Sequence, residues 1–163
     1  MSAPAVPGRT FTDTDLDYVR CALRESLDSR RAHVVVEATA YAPGLREAAH
    51  RVRTASEVDA DRTLALLEAW GERWAAPAGR PSLAEGLLGV LAAAPATRPG
   101  REQDRRLVVA LTAYVEAVVR HDRAQMVAGR DPAARGLAED HLQAAARYLR
   151  ALRDLRVVGE LDR

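Results

Sequence analysis

The chain of 163 residues has a formal net charge of +1 and is 48% hydrophobic and 29% charged, as is usual for one soluble globular domain. Its near-zero net charge, with acidic residues interspersed among the arginines, argues against nucleic acid as a partner. No apolar segment reaches the ~18 residues that a membrane span requires, and the single Cys21 excludes an internal disulfide.

The sequence contains no Lys, so every basic residue other than histidine is arginine; Ile and Asn are also absent. These three amino acids have AT-rich codons, so we interpret the arginine content as the composition of a GC-rich bacterial genome and not as phosphate recognition. The beginning, "MSAPAVPGRTFTDTD", lacks a basic start followed by an apolar core and therefore does not indicate a secretory signal. A cytoplasmic location is the resulting prediction.

The N-terminal region predicts an arm followed by a helix. Residues 1–11 are rich in Pro and Gly and predict a flexible arm before a single helical-bundle domain over residues 12–163. Thr12 and Asp15 have the spacing of a capping box. We therefore expect a first helix over about residues 13–41, because apolar residues recur after that box at helical spacing.

Two further helices are predicted in the middle of the chain. The break "APGL" precedes a helix over about residues 45–75, and "SLAEGLLGVLAAA" predicts a shorter helix in which Ser82 and Glu85 form another capping box. Trp70 and Trp74 lie one turn apart at the end of the longer helix. Such a pair is suited to anchor a core or a subunit interface.

The C-terminal part predicts a pair of long helices. The predicted helix over about residues 102–128 has apolar residues around most of its circumference, which is typical of a helix that is buried or lies at a subunit interface. In the turn "GRDP", Asp131 is the expected N-cap and Pro132 the first residue of a helix that reaches about residue 157. Together the helices predict an all-α fold, an antiparallel bundle of four to five helices, and the apolar surfaces predict a homodimer.

His50 lies off the apolar face of its helix, so its side chain should be accessible. The string "HRVRT" resembles the motif of histidine phosphotransfer domains, helical bundles whose phospho-accepting His is followed by two residues, Lys and Gly. Arg53 stands at the Lys position and can pair with a phosphoryl group. Thr54 departs from the Gly that leaves room for the receiver domain. The resemblance implies a phosphotransfer module that uses His50 and Arg53.

His121 and His141 both fall on the apolar side of their predicted helices, each about ten residues from the intervening turn. In an antiparallel pair they would lie in one layer and face each other, and inward-facing titratable side chains indicate a candidate site. Tyr114 and Tyr148 share these faces. We therefore predict a ligand pocket in which His121 or His141 is a candidate general base and the tyrosines donate hydrogen bonds.

The first helix adds Glu37 and Arg30, which lie on or near its apolar stripe and complete the predicted pocket. His121, His141 and Glu37 also form a candidate site for a divalent metal with open coordination positions, although the sequence requires no cofactor. The alternative without a functional site is that these side chains are core residues that only hydrogen-bond to one another. His33 is predicted to lie off the stripe.

The sequence contains no phosphate loop, dinucleotide-binding turn, nucleophile elbow or zinc spacing. The leading functional prediction is therefore a regulatory, interaction or ligand-sensing protein, whose partner is a small molecule or another protein, with neither nucleic acid nor membrane involved. A small enzyme or metalloprotein with an interior His/His/Glu site is one alternative. A phosphotransfer module is the other.

Overall fold

A computed structural model describes residues 10–75, 81–93 and 100–157 of the chain. In these residues the helices are α1 (Asp13–Thr39), α2 (Pro43–Ala69), α3 (Leu83–Ala93), α4 (Arg101–Ala128) and α5 (Pro132–Val157). The described residues contain no β-strand, which confirms the predicted all-α helical bundle. Residues 1–9 of the predicted arm lie outside the described residues. None of the described helices combines the length and the apolar character needed to cross a membrane.

The predicted helix starts at α1 and α5 are formed by polar side chains. The Thr12 hydroxyl accepts a hydrogen bond from the backbone N–H of Asp15 at 3.2 Å, and the Asp15 carboxylate accepts one from the backbone N–H of Thr12 at 2.9 Å. This is the capping box expected from the sequence. At α5, Asp131 Oδ1 accepts from the backbone N–H groups of Ala133 and Ala134 at 2.9 and 3.0 Å. Both caps satisfy N–H groups that have no partner inside the helix.

Two fully buried aspartates join α1 to both ends of α4. Asp15, in the first turn of α1, accepts hydrogen bonds from the Gln125 side chain at 2.9 Å and from the Arg130 backbone at 3.0 Å. Asp104, at the start of α4, accepts from the backbone N–H groups of Tyr41 and Ala42 at 2.9 and 2.6 Å. The start of α1 therefore lies beside the end of α4, and the end of α1 beside its start. Several donors to one carboxylate offset the cost of burying its charge.

The apolar core consists of two clusters, and α1, α2 and α5 contribute to both. One includes Val36, Leu45, Leu111 and Leu152, and the other includes Val19, Leu23, Leu67 and Leu137. Along the helices, buried or half-buried polar side chains lie between the two clusters. We call this set the polar layer, formed by Ser26, Ser29, His33, Ser56, Asp59, Asp122 and His141. The polar layer places titratable groups in the middle of the bundle.

The buried stripe of α1 passes through His33, which is 0% exposed, so the prediction that His33 lies off the stripe is wrong. Steps of three and four residues lead from Leu23 through Ser26 and Ser29 to His33. The neighbouring apolar residue Val34 is 48% exposed instead. The buried face of α1 keeps its helical spacing although its residues become polar. A prediction that follows the apolar residues instead of the spacing therefore places Val34 in the core and His33 outside it.

The tryptophan pair divides between core and surface. The ring of Trp70 stacks on that of Phe11 with centroids 4.1 Å apart, so the last residue of the predicted arm is packed against the bundle. Trp74 is 42% exposed. Part of the apolar surface of α4 packs within the chain, since α4 contacts α1, α3 and α5, whereas Val109 and Val127 of the same helix are exposed. The homodimer remains a prediction.

Candidate functional site

A cavity of about 110 Å³ lies in the polar layer and is lined by side chains from all five described helices. Its apolar wall includes Val52, Ala55, Val115, Val118, Ala144 and Ala145. Its charged or titratable groups include the carboxyls of Glu25, Asp59 and Asp122 and the imidazoles of His121 and His141. An apolar cavity of ~150 Å³ in a protein core can hold benzene, so this space suits a small organic molecule or a few waters.

Four side chains around His141 form a charged group that we call the His141 cluster: Tyr18, Asp59, Asp122 and His141. The Tyr18 hydroxyl donates to Asp122 Oδ1 at 2.8 Å, and its oxygen lies 3.4 Å from His141 Nδ1. His141 Nδ1 is also 3.7 Å from Asp122 Oδ1, while Nε2 is 3.7 Å from Asp59 Oδ2. Because Tyr18 gives its proton to Asp122, we assign the Nδ1 proton of His141 to the bond with the Tyr18 oxygen.

Two atoms of the His141 cluster are buried without a hydrogen-bond partner among the described residues: Asp122 Oδ2 and His141 Nε2. The Asp122 side chain is only 3% exposed. A buried polar atom without a partner costs about 1–3 kcal/mol, more if it is charged. Native proteins keep few such atoms, and a catalytic role or a bound molecule is a common reason.

Neighbouring acidic side chains shift the pKa of the His141 imidazole upward. Burial lowers the pKa of His141, but its interaction with the Asp122 carboxylate and the charge of Asp59 outweigh burial, so the pKa lies above the usual value. Burial raises the pKa of Asp59, although the charges of His141 and Arg62 oppose this. Burial and the Asp122 charge also raise the pKa of the Tyr18 phenol, which keeps its proton. The acidic side chains of Asp122 and Asp59, on either side of the His141 imidazole, thus favour its protonated form.

A second buried histidine has a different environment, which we call the His33 network: Ser29, His33, Ser56 and Tyr148. His33 Nδ1 donates to the backbone oxygen of Ser29 at 2.8 Å, and Nε2 accepts from the Tyr148 hydroxyl at 3.1 Å. Ser56 Oγ donates to Ser29 Oγ at 3.2 Å. Burial lowers the pKa of His33 to about 4, despite the opposing effect of the Ser29 bond. His33 is therefore neutral at pH 7, and both of its ring nitrogens are hydrogen-bonded.

Glu25 fixes the start of α3 beside the cavity. Its two carboxylate oxygens accept from the backbone N–H groups of Leu83 and Ala84 at 2.7 and 2.9 Å. Burial raises the pKa of Glu25, although these bonds lower it. The Ser82 hydroxyl donates to Asp28 at 2.7 Å on the same side. A carboxylate at a helix start also interacts favourably with the helix dipole, so Glu25 holds α3, with Leu83 in the cavity wall.

The structure brings several predicted site residues together. Tyr114, His141 and Tyr148 line the cavity, and His121 lines its edge. The His121 side chain is exposed, and its ring centroid lies 5.4 Å from that of Tyr18. His121 therefore lies on the more exposed side of α4, because the buried phase of that helix passes through the next residue, Asp122, and one residue corresponds to about 100° around a helix.

Glu37 and Arg30 are not part of the cavity lining. Glu37 accepts hydrogen bonds from His50 Nδ1 and Arg53 Nε, both at 2.9 Å, on the outside of the bundle. Arg30 pairs with Glu57 at 3.1 Å. The expected metal set of His121, His141 and Glu37 is therefore not assembled. Within the described ranges, no group of three or more His, Cys, Asp or Glu residues is arranged to hold a metal ion.

The His50 side chain is 54% exposed, as its helical phase predicts. Its Nδ1 is held by Glu37, and the Arg53 guanidinium lies 3.1 Å from the same nitrogen. Thr54, which replaces the glycine of the phosphotransfer motif, is exposed next to it. The accessible His50 and the cation at Arg53 are thus in place, with a β-branched side chain beside them.

Sequence reasoning missed Tyr18, Asp59 and Asp122. A signal for two of them was present in the helical phase. Asp122 lies seven residues, or two turns, after the buried Val115, and Asp59 lies three residues after the buried Ser56. A carboxylate in phase with a buried stripe indicates a functional or structural site. Tyr18 gave no comparable signal, since a tyrosine in an apolar stripe is ordinary core.

The fold and the site together define an all-α bundle with a charged cavity in its polar layer. Comparisons of the chain with protein-family models, with curated proteins and with solved structures find no match. The functional argument therefore rests on the geometry of the site.

Proposed function

We propose that this protein is a ligand-sensing helical bundle and that a small molecule occupies the cavity of the polar layer. The observation that carries the proposal is the pair of buried atoms without partners, Asp122 Oδ2 and His141 Nε2, in a group that borders the cavity. A ligand that hydrogen-bonds to these atoms would offset their desolvation cost. Pockets with an apolar wall and a few convergent polar groups are typical ligand sites.

A route from solvent supports this proposal. Val52, Ala55, Ala144 and Tyr148 line both the cavity and a surface groove of about 400 Å³ between α2 and α5. Two of these four are alanines, so the wall between groove and cavity is thin. Helix α2 contacts α5 much less extensively than it contacts α1, which leaves this side of the bundle suited to admit a molecule.

Lining by every described helix gives a physical basis for sensing. A ligand that binds the folded bundle stabilises it, and it favours whichever arrangement of the helices fits the ligand best. Helix α3 is the natural responding element, because Glu25 both lines the cavity and binds the first N–H groups of that helix. A change in the charge near Glu25 would therefore be transmitted to α3.

The test uses butanol, butylammonium and butyrate as matched probes of similar size and three different charges. We expect at least one of them to shift the amide resonances of Val118 and Ala145 in a two-dimensional NMR titration. The control is Ala145→Leu, which fills the cavity from a buried position and should abolish the shifts while the spectrum stays folded. Absence of binding by all three probes, or binding that persists in Ala145→Leu, would falsify the proposal.

A second candidate function is acid–base catalysis by His141. The specific observation is that Nδ1 is oriented by Tyr18 and Asp122, while Nε2 has no hydrogen-bond partner among the described residues. Such an imidazole can accept or donate a proton at Nε2. The test is the titration of the His141 ring by NMR, with an expected pKa above the usual 6.5. A midpoint below that value would remove this candidate.

Phosphotransfer through His50 remains a third candidate. It is favoured by the exposed ring whose Nδ1 is held by Glu37, which leaves Nε2 for a phosphoryl group, with Arg53 as the neighbouring cation. Incubation with acetyl phosphate should place an acid-labile phosphate on the chain and not on a His50→Gln variant. Equal labelling of the two, or none, would exclude this function.

A further inference from the structure

We propose that the ligand of the cavity is a small primary alkylammonium ion, whose nitrogen donates to Asp122 Oδ2 and whose alkyl part lies against the apolar wall. This inference rests on the proposed function, because it names the class of molecule that enters the same cavity. Three observations support it: the acidic side chains that line the cavity, the hydrogen-bond partners of each carboxylate, and the volume and apolar wall of the cavity.

The lining of the cavity is acidic. Its side chains include three carboxyls, from Glu25, Asp59 and Asp122, and two imidazoles, from His121 and His141. Even with both imidazoles protonated, the ionised carboxylates would exceed the cations by one charge. Burial holds the pKa of Glu25 and that of Asp59 above their usual values, which shows that negative charge is costly there. A cation in the cavity would offset this cost.

Of the three carboxylates, Asp122 is the one prepared to bind a donor. Both oxygens of Glu25 already accept backbone N–H groups at 2.7 and 2.9 Å. Asp59 lies 3.9 Å from Arg62, and its side chain is 21% exposed, so that solvent reaches it. Asp122 uses Oδ1 to accept from Tyr18, whereas Oδ2 has no hydrogen-bond partner among the described residues and the side chain is 3% exposed. A buried acceptor of this kind calls for an N–H donor.

The rest of the cavity favours an organic cation of limited size. Val52, Val115, Val118 and Ala145 supply an apolar wall, and Tyr114 lines the same space. A volume of about 110 Å³ corresponds to a molecule of roughly five or six heavy atoms, since ~150 Å³ accepts benzene. A primary ammonium fits Asp122 better than a quaternary one, because a quaternary nitrogen has no N–H to donate to Oδ2.

The test compares dissociation constants of butylammonium, butanol, butyrate and tetramethylammonium for the whole 163-residue chain, measured by NMR titration at constant ionic strength. We expect butylammonium to bind at least about tenfold more tightly than the other three, as a hydrogen bond to a buried charge implies. Asp122→Asn should remove this preference, because it removes the charge and retains the shape. Asp61→Asn, which changes an exposed carboxylate on α2, should leave the preference unchanged.

Each outcome distinguishes the amine inference from the underlying cavity proposal. If butanol or butyrate binds more tightly than butylammonium, and Ala145→Leu abolishes that binding, the cavity takes a ligand but the amine assignment is wrong. If no probe binds, both fail. A preference for butylammonium that survives Asp122→Asn would exclude Asp122 as the anchor. The selectivity of the unmodified protein needs no variant, so the ligand class is decided even if Asp122→Asn does not fold.

Discussion

The polar layer contains two histidines, the fully buried His33 and the half-buried His141, that differ in how completely their polar atoms are hydrogen-bonded. In the His33 network, both ring nitrogens are hydrogen-bonded and burial keeps the ring neutral. In the His141 cluster, carboxylates raise the pKa of the ring, and Nε2 and Asp122 Oδ2 have no hydrogen-bond partner among the described residues. The complete network stabilises one packing of the helices. The incomplete cluster retains binding capacity. Its Asp59, Asp122 and His141 line the cavity, as do Ser29, Ser56 and Tyr148 of the complete network, so the two groups differ in their unpaired atoms and not in their access to the cavity.

This difference follows from the cost of buried polarity. A satisfied buried network contributes to the uniqueness of a fold, whereas an unsatisfied group lowers stability unless another molecule completes it. Functional sites commonly retain such a cost. The two histidines therefore predict opposite responses to pH and to substitution.

The largest effect is expected from acid titration of His33. Its pKa is about 4 in the folded chain against 6.5 for an ordinary histidine. Between these pH values the unfolded chain binds a proton that the folded chain does not, so the free energy of unfolding should fall by about 3 kcal/mol from pH 6.5 to 4. Urea unfolding at several pH values measures this. His33→Gln should remove that part of the decline, and an unchanged pH profile in the variant would contradict the assignment.

The second-largest effect is expected when one polar side chain of each region is substituted, because the two variants should lose different amounts of the free energy of unfolding. Tyr148→Phe leaves the buried Nε2 of His33 without a donor and should lower the free energy of unfolding by about 1–3 kcal/mol. Asp122→Asn keeps an oxygen at the position of Oδ1, which accepts from Tyr18, and places the amide nitrogen at the position of Oδ2, which has no hydrogen-bond partner among the described residues. At pH 8 its cost should stay below about 1 kcal/mol. Equal losses in the two variants would mean that the cluster is as complete as the network.

Alkaline titration should reveal His141 with the opposite sign and a smaller effect. Because carboxylates raise its pKa in the folded chain, its contribution is fully present below the ordinary value of 6.5 and is lost as pH rises through the folded pKa. Urea unfolding between pH 6 and 9 should show a decline that His141→Gln removes. A decline of the same size in the variant would assign it to other groups.

The smallest effect is expected on the surface. Glu37 pairs with Arg53 and His50 where solvent screens their charges, so Glu37→Gln should leave the free energy of unfolding within experimental error of the unmodified protein. It should also leave the affinity for butylammonium unchanged. A loss of affinity as large as that of Asp122→Asn would move the binding site from the cavity to the His50 surface.

The sequence by itself determined the helices and much of their inward faces. The capping box of Thr12 and Asp15 and the cap at Asp131 were readable because they depend on neighbours within three or four residues. The stripe that includes Tyr148, Leu152 and Leu155 on α5 was also readable, since its apolar residues keep the helical spacing. His141 and the two tyrosines of the cavity were found by phase alone.

Only the tertiary structure decided which polar residues meet. Asp59 and Asp122 come to His141 from two different helices, and Glu37 goes to His50 instead, because these contacts depend on the rotation and neighbours of each helix. An error of one residue turns a side chain by about 100°, which moves it from the core to the surface. Local periodicity predicts the rotation of each helix about its axis only to within about one residue. The packing of one helix against the next determines that rotation fully.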